Sequence, residues 1–220
     1  MIKRFLTILI CVLSSLIIRG QQIPIPKNYS IVDTVFGDLN NDGENELVVA
    51  YNTKDDPNEE GVPRELIVYK KLNKKWAIWK KSLQALYGSR DGGMSGDPYE
   101  GMKIKNGILQ IDQSGGSSWK WGNKDKYRYQ AGEFILIGYL SFAGKPCEYW
   151  EDVDFNLLTG KMMVKKEYEN CDSGQAIYKR ENEIFYSKKI RRTLQNRNEK
   201  EIKIISPKYH HEIYVATKYE

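Results

Sequence analysis

Residues 102–112 alternate apolar and polar side chains on either side of Asn106-Gly107, and this pattern constrains the chain more than any other. A period of two suits a pleated strand with one buried face, and Asn-Gly supplies the two left-handed residues of a tight hairpin turn. The pattern recurs along the chain. Residues 65–70 and 76–80, rich in Val, Ile, Tyr and Trp, flank a hairpin-length connection at 71–75; with residues 46–51 they predict an antiparallel three-strand meander. Residues 126–130 and 133–142 flank Ala131-Gly132, and residues 147–155 and 161–169 flank Leu158-Thr159-Gly160. The last strands fall at 201–205 and 212–216. Residues 52–63 and 88–101 lack any period and read as loops, while 82–87 reads as about one helical turn. The predicted fold class is mainly β, with antiparallel hairpins and meanders forming a sandwich or an incomplete propeller-like sheet arrangement and few helices.

The first 20 residues differ in kind. Lys3 and Arg4 precede an apolar run over 5–18, and Gly20 offers a small residue before Gln21, which is the layout of a cleaved signal peptide. The run is short for a bilayer crossing, so no transmembrane segment is expected after cleavage. The expectation is an exported protein, periplasmic or extracellular, with one β-rich domain over 21–220. Of the formal charge of +5, Lys3, Arg4 and Arg19 account for three units, which leaves +2 for the mature chain. Cys11 goes with the leader. Cys147 and Cys171 remain, and in an oxidising compartment an even, lone pair reads as a disulfide.

One stretch carries a recognisable chemistry. Residues 36–47 read FGDLNNDGENEL, in which Asp38, Asn40 and Asp42 alternate ahead of Gly43. Oxygen-bearing side chains two residues apart in a tight loop can converge on a hard cation, and calcium accepts six to eight such oxygens at about 2.3–2.6 Å. Without a cation the same groups repel one another. The EF-hand pattern does not fit, because the twelfth residue counted from Asp38 is Val49 rather than glutamate, and a strand-like run follows. The stretch instead resembles the FG-GAP calcium loop of integrin α-subunits and many secreted bacterial repeat proteins. The resemblance implies Ca2+ held by the side chains of Asp38, Asn40, Asp42 and Glu46 and by the carbonyl of Glu44. Such loops usually come in tandem as propeller blades, and this chain carries one copy.

A second segment, Gly115-Gly116-Ser117-Ser118-Trp119-Lys120-Trp121, precedes a tyrosine-rich hairpin containing Tyr127 and Tyr129. It resembles a group of secreted bacterial proteins, many from Bacteroidetes, with a GGSSW-type stretch. That resemblance implies export and brings no activity with it. Trp119 and Trp121 share one face of a strand by their spacing. With Tyr127 and Tyr129 they form the candidate ligand surface, suited to a glycan or a protein at the cell envelope; the alternative is core packing.

Catalytic signatures are sparse. His210 and His211 are adjacent, so on a strand they face opposite sides, and no Gly-x-Ser-x-Gly elbow or phosphate-binding glycine loop is present. Asp91, Asp97, Glu100 and Asp112 supply the carboxylates for an alternative reading as a glycan-active hydrolase. The basic C-terminal hairpin region at 184–220 carries Lys188, Lys189, Arg191, Arg192, Arg197, Lys200 and Lys203, interrupted by Glu199 and Glu201. With the near-balanced total this reads as a solvated face and not as a nucleic-acid surface.

Overall fold

A computed structural model describes residues 22–54, 61–172, 174, 176–200 and 202–215. The segment expected to be a leader and residues 55–60 of the acidic loop lie outside the described residues. Four strands, β1 (Ser30–Gly37), β2 (Glu46–Asn52), β3 (Arg64–Leu72) and β4 (Lys75–Ser82), form one antiparallel sheet in chain order. Seven more form a second antiparallel meander: β5 (Tyr99–Lys105), β6 (Ile108–Gly116), β7 (Lys120–Gln130), β8 (Glu133–Lys145), β9 (Tyr149–Asn156), β10 (Lys161–Asn170) and β11 (Ala176–Tyr186). The hairpin of β12 (Ile202–Ile205) and β13 (Glu212–Val215) completes the fold. β1 and most of β11 are strands that the sequence pattern passes over.

Turn chemistry sets the register. Asn73-Lys74, Asn106-Gly107 and Ala131-Gly132 all have positive φ at both positions, the two-residue turn whose twist matches that of paired strands. The helical turn expected at 82–87 is instead a bend, in which the Ser82 hydroxyl oxygen accepts the N–H groups of Gln84 and Ala85 and so offers the backbone another partner. Among the described residues the only helical pieces are two 3-10 turns, Gly93–Ser95 and Leu194–Asn196, and no helix is long and apolar enough to cross a membrane.

The two large sheets share one core. Val48, Ala50, Leu66 and Val68 of the four-stranded sheet cluster with Leu109, Ile111, Tyr127, Leu136, Tyr139, Phe155, Met162 and Val164 of the seven-stranded sheet, and β13 adds Ile213 and Val215. Alternate residues of β2 and β3 point the other way, yet Leu47, Val49, Tyr51, Ile67 and Tyr69 are also buried, because Ile23, Tyr29 and Trp76 cover them. The chain ahead of β1 straps that layer down: the Tyr51 hydroxyl donates to the Pro24 carbonyl and Tyr29 to Glu65. Each fully buried Val, Leu or Ile contributes about 1.5–3 kcal/mol.

Polar locks join the sheets. Gly37 ends β1 where Ile104 of β5 leaves no room for a side chain: a Cβ there would lie 2.5 Å from Ile104 Cγ2. Tyr99 donates to Asp33 across the same seam at 2.9 Å. Arg64, buried at the start of β3, holds Asp97 in a fork of 2.6 and 2.5 Å. Deepest of all, Arg197 pairs with Asp125 on the inner face of β7, both wholly buried, with Tyr127 donating to the same carboxylate and the Tyr87 ring 5.4 Å from the guanidinium. This corrects the reading of the basic region as a solvated face throughout, since one of its cations is an interior group. Two of the others are surface residues paired with acids, Arg191 with Glu133 and Lys203 with Glu212, while Arg192 donates to the Lys200 carbonyl.

Candidate metal loop and ligand surface

The loop after β1 folds around its own acids. Asp38 accepts the N–H groups of Asn41, Asp42 and Gly43 at 2.7–3.2 Å. Asn40 donates to Asp42 through Nδ2 and accepts the Asp42 N–H through Oδ1, while Asp42 also accepts the Glu44 N–H. Those bonds hold the Asp42 carboxyl below the usual carboxylate range, the Glu44 N–H contributing most. Asn41 and Gly43 take left-handed backbone to make the curl, and Asn41 rests against Gly107 of the β5–β6 hairpin.

Glu46 stands behind the loop, buried, with Oε2 accepting the Leu39 N–H at 2.8 Å. Burial pushes its carboxyl above the ordinary range; the Leu39 N–H pulls it back in part, and the charges of Asp42 and Asp38 push it up again. The donor set is all oxygen, as a hard cation requires, and two acids facing a third is the repulsion that a cation relieves. Among the described residues, however, no three acidic, His or Cys side chains are gathered into a ligand cage. Oxygens of Asp38, Asn40 and Asp42 accept backbone N–H groups here, and Asp42 Oδ2 accepts from Asn40 Nδ2. Glu44 is exposed.

The aromatic surface is rearranged relative to the expectation. Trp121 is 8 % exposed and packs edge-on to Tyr87 at 5.1 Å; Gly115 has no side chain because the Trp121 ring and Gly92 fill that space. Tyr127 is buried beside Asp125, and Tyr129 is packed between Trp79 of the other sheet, at 4.3 Å, and Phe134. Trp119 alone of the four is open, at 41 % exposure, because the turn at 117–119 lifts it out of the strand that carries Trp121. The paired-tryptophan platform is therefore corrected: one indole is core and the other is surface.

Trp119 is the end of a different row. Its ring centroid lies 5.2 Å from that of Tyr149, which lies 6.0 Å from Tyr168, which lies 6.2 Å from Tyr178, with successive planes tilted by 61°, 56° and 48°. The row crosses the seven-stranded sheet from the start of β7 over β9 and β10 to β11. Lys145 lies over Trp119, Lys166 over Tyr149 at 3.7 Å, and Lys179 over Tyr168 at 4.8 Å. Each lysine has its own carboxylate: Glu148, Glu151 and Glu181 respectively. Glu181 also accepts the Tyr168 hydroxyl at 2.9 Å and stands 2.9 Å from His211 Nε2. Burial, followed by the bond to Glu181, pushes the Tyr168 phenol up to about 12, and burial raises Tyr149 as well, so both hydroxyls stay protonated at neutral pH.

Cys147 and Cys171 are joined as the sequence suggests, with Cα atoms 5.0 Å apart, and they close the end of the β9–β10 pair where Tyr149 and Tyr168 sit directly opposite each other. Sequence reasoning missed these two tyrosines. The cysteine spacing held the signal, because a bridge from 147 to 171 brings Tyr149 and Tyr168 onto neighbouring strands.

The carboxylates of the hydrolase alternative are dispersed. Asp97 is held by Arg64, and Asp91 accepts the Gly88 N–H. Glu100 and Asp112 border an open depression of about 690 Å3 on the outer face of the seven-stranded sheet, shared with Phe142, Asp152 and Asp154. Glu100 accepts the Ser114 hydroxyl, and Asp112 accepts from Gln110 and faces Lys124. Comparisons with protein-family models, with curated proteins and with solved structures return no match.

Proposed function

We propose that this protein is an exported, calcium-braced β module that binds its ligand without transforming it, at the row Trp119, Tyr149, Tyr168 and Tyr178. The observation that carries the reading is the row itself: four aromatic rings, from the turn before β7 and from β9, β10 and β11, line up across one sheet, the middle two half-buried and Trp119 and Tyr178 open at the two ends. Aromatics of that size are normally drawn into a core, and an exposed series bordered by polar groups is a common mark of a binding surface. The leader pattern and the cysteine pair support export. The oxygen-rich loop and the buried Glu46 behind it support Ca2+, with Asp38, Asn40, Asp42 and Glu46 turning their oxygens inward and the Glu44 carbonyl completing the set.

Adsorption to insoluble cell-envelope material tests the surface. Wild type is retained and the Trp119→Ala/Tyr178→Ala double variant stays in solution; equal retention of the two removes the row from the reading. Calcium is tested separately by melting temperature, which rises with added CaCl2 in wild type and not in the Asp38→Ala/Asp42→Ala variant. A second reading, a hydrolase acting in the outer depression, draws on Glu100 and Asp112 sharing one open surface. An activity on glycans that survives both Glu100→Gln and Asp112→Asn would not belong to that surface.

A further inference from the structure

The chemistry of the row narrows what it can hold. Three lysines lie along it and each is matched by a glutamate, so the strip offers donors and acceptors in alternation with no net charge among them. A polyanion would have to displace three carboxylates, and a cationic chain three ammonium groups. Ring tilts of 48–61° prevent one flat ligand from lying on two neighbours at once. They suit a chain of small, separate rings, each turned relative to the last. The middle rings are half-buried and have one face taken by Lys166 at 3.7 Å and Lys179 at 4.8 Å; Lys145 stands farther from the Trp119 ring, at 5.9 Å, and the exposed stacking surface is concentrated at the two ends, Trp119 and Tyr178.

We infer that the ligand of this row is a neutral, unbranched polysaccharide lying across the strands, its sugar rings stacked on Trp119 and Tyr178 and its intervening hydroxyls shared among the three lysine–glutamate pairs. This rests on the reading of the row as the ligand surface and adds the ligand's class. Centroid steps of 5.2–6.2 Å are close to the length of one pyranose unit, so the chain advances about one sugar per ring. The apolar C–H face of a pyranose meets an aromatic face, while its equatorial hydroxyls need the alternating donors and acceptors that buried or bordering charges supply. Tyr168, pinned through its hydroxyl by Glu181, keeps the middle of the path fixed.

Calorimetry with cellohexaose, xylohexaose and mannohexaose, their disaccharides, and polygalacturonate tests the inference on the full mature chain. At least one neutral hexasaccharide binds, its disaccharide binds at least about tenfold more weakly because it cannot reach both ends, and Trp119→Ala and Tyr178→Ala each weaken binding by about tenfold, the loss of one stacked ring. Trp119→Tyr and Tyr178→Phe keep a ring in place and retain most of the affinity, which separates stacking from misfolding. Binding of polygalacturonate alone, of none of the hexasaccharides, or of the hexasaccharide and disaccharide equally overturns the ligand class. The row as a ligand surface then still stands or falls on envelope adsorption by the Trp119→Ala/Tyr178→Ala variant.

Discussion

Arg197 and Asp125 form an ion pair with neither side chain in contact with solvent: Nε and Nη2 of the arginine both reach the carboxylate, and Asp125 also accepts the Tyr127 hydroxyl. The pair ties the turn after Leu194–Asn196 to the inner face of β7. Breaking a buried pair strands one charge, which costs more than the pair contributes. Arg197→Ala or Asp125→Ala should therefore lose about 3–5 kcal/mol in denaturant titrations, while Asp125→Leu/Arg197→Met together should lose much less. Equal losses in the single and double variants would show that packing, and not the uncompensated charge, sets the cost.

Without added cation, Glu46 should make the protein less stable as the medium becomes more alkaline. Its folded pKa is raised by burial and by Asp42 and Asp38. The folded state therefore keeps a proton that the unfolded chain releases near pH 4.3, and stability falls as pH climbs from there through the folded value. Glu46→Gln keeps an acceptor for the Leu39 N–H and removes the charge. In EDTA, the variant should match wild type at about pH 4 and melt higher at pH 7; a wild type that melts higher at pH 7 would contradict the assignment.

The disulfide should matter for the row as well as for the fold. Cys147 and Cys171 enclose a sequence separation of 24 residues, for which loop entropy gives about 3 kcal/mol. The bridge sits beyond the Tyr149–Tyr168 pair, at the open end of that ladder. Cys147→Ala/Cys171→Ala is expected to lower the melting temperature and to reduce envelope adsorption at a temperature where the variant remains folded. Unchanged adsorption there would mean the ladder holds the two rings by itself.

Gly37 should tolerate no side chain unless Ile104 is trimmed. A Cβ at 2.5 Å from Ile104 Cγ2 overpacks the seam between β1 and β5, and Gly37→Ala should cost about 1–3 kcal/mol. In Gly37→Ala/Ile104→Ala the closest contact, to Cγ2, is gone and only the 2.8 Å approach to the residue-104 Cβ remains, so the loss should be smaller than the sum of the single losses; additive losses would place the strain elsewhere.

Much of the fold was legible because it is local. Each strand pairs with its neighbour in the chain, so turn residues such as Asn106-Gly107 and Ala131-Gly132 report directly on the sheets. β1 was missed because its Ser30–Gly37 run carries weak apolar contrast and is buried only in part. β11 was missed for most of its length because Ala176–Arg180 is exposed on both faces and has no core periodicity.

The sequence by itself determined the hairpins, the cysteine pair and the oxygen-rich composition of the loop, since these depend on residues close together in the chain or on chemistry that needs no third partner. Only the tertiary structure decided which face of each strand is interior. A register shift at Lys126/Tyr127, another at Tyr168/Glu169 and the turn before Lys120 change which side chains share a face, and residues two apart then part company. So Trp121 is buried and Trp119 is open, and Arg197 leaves a basic run for the core. Such an assignment is a property of the sheets facing each other, and no window of sequence contains both.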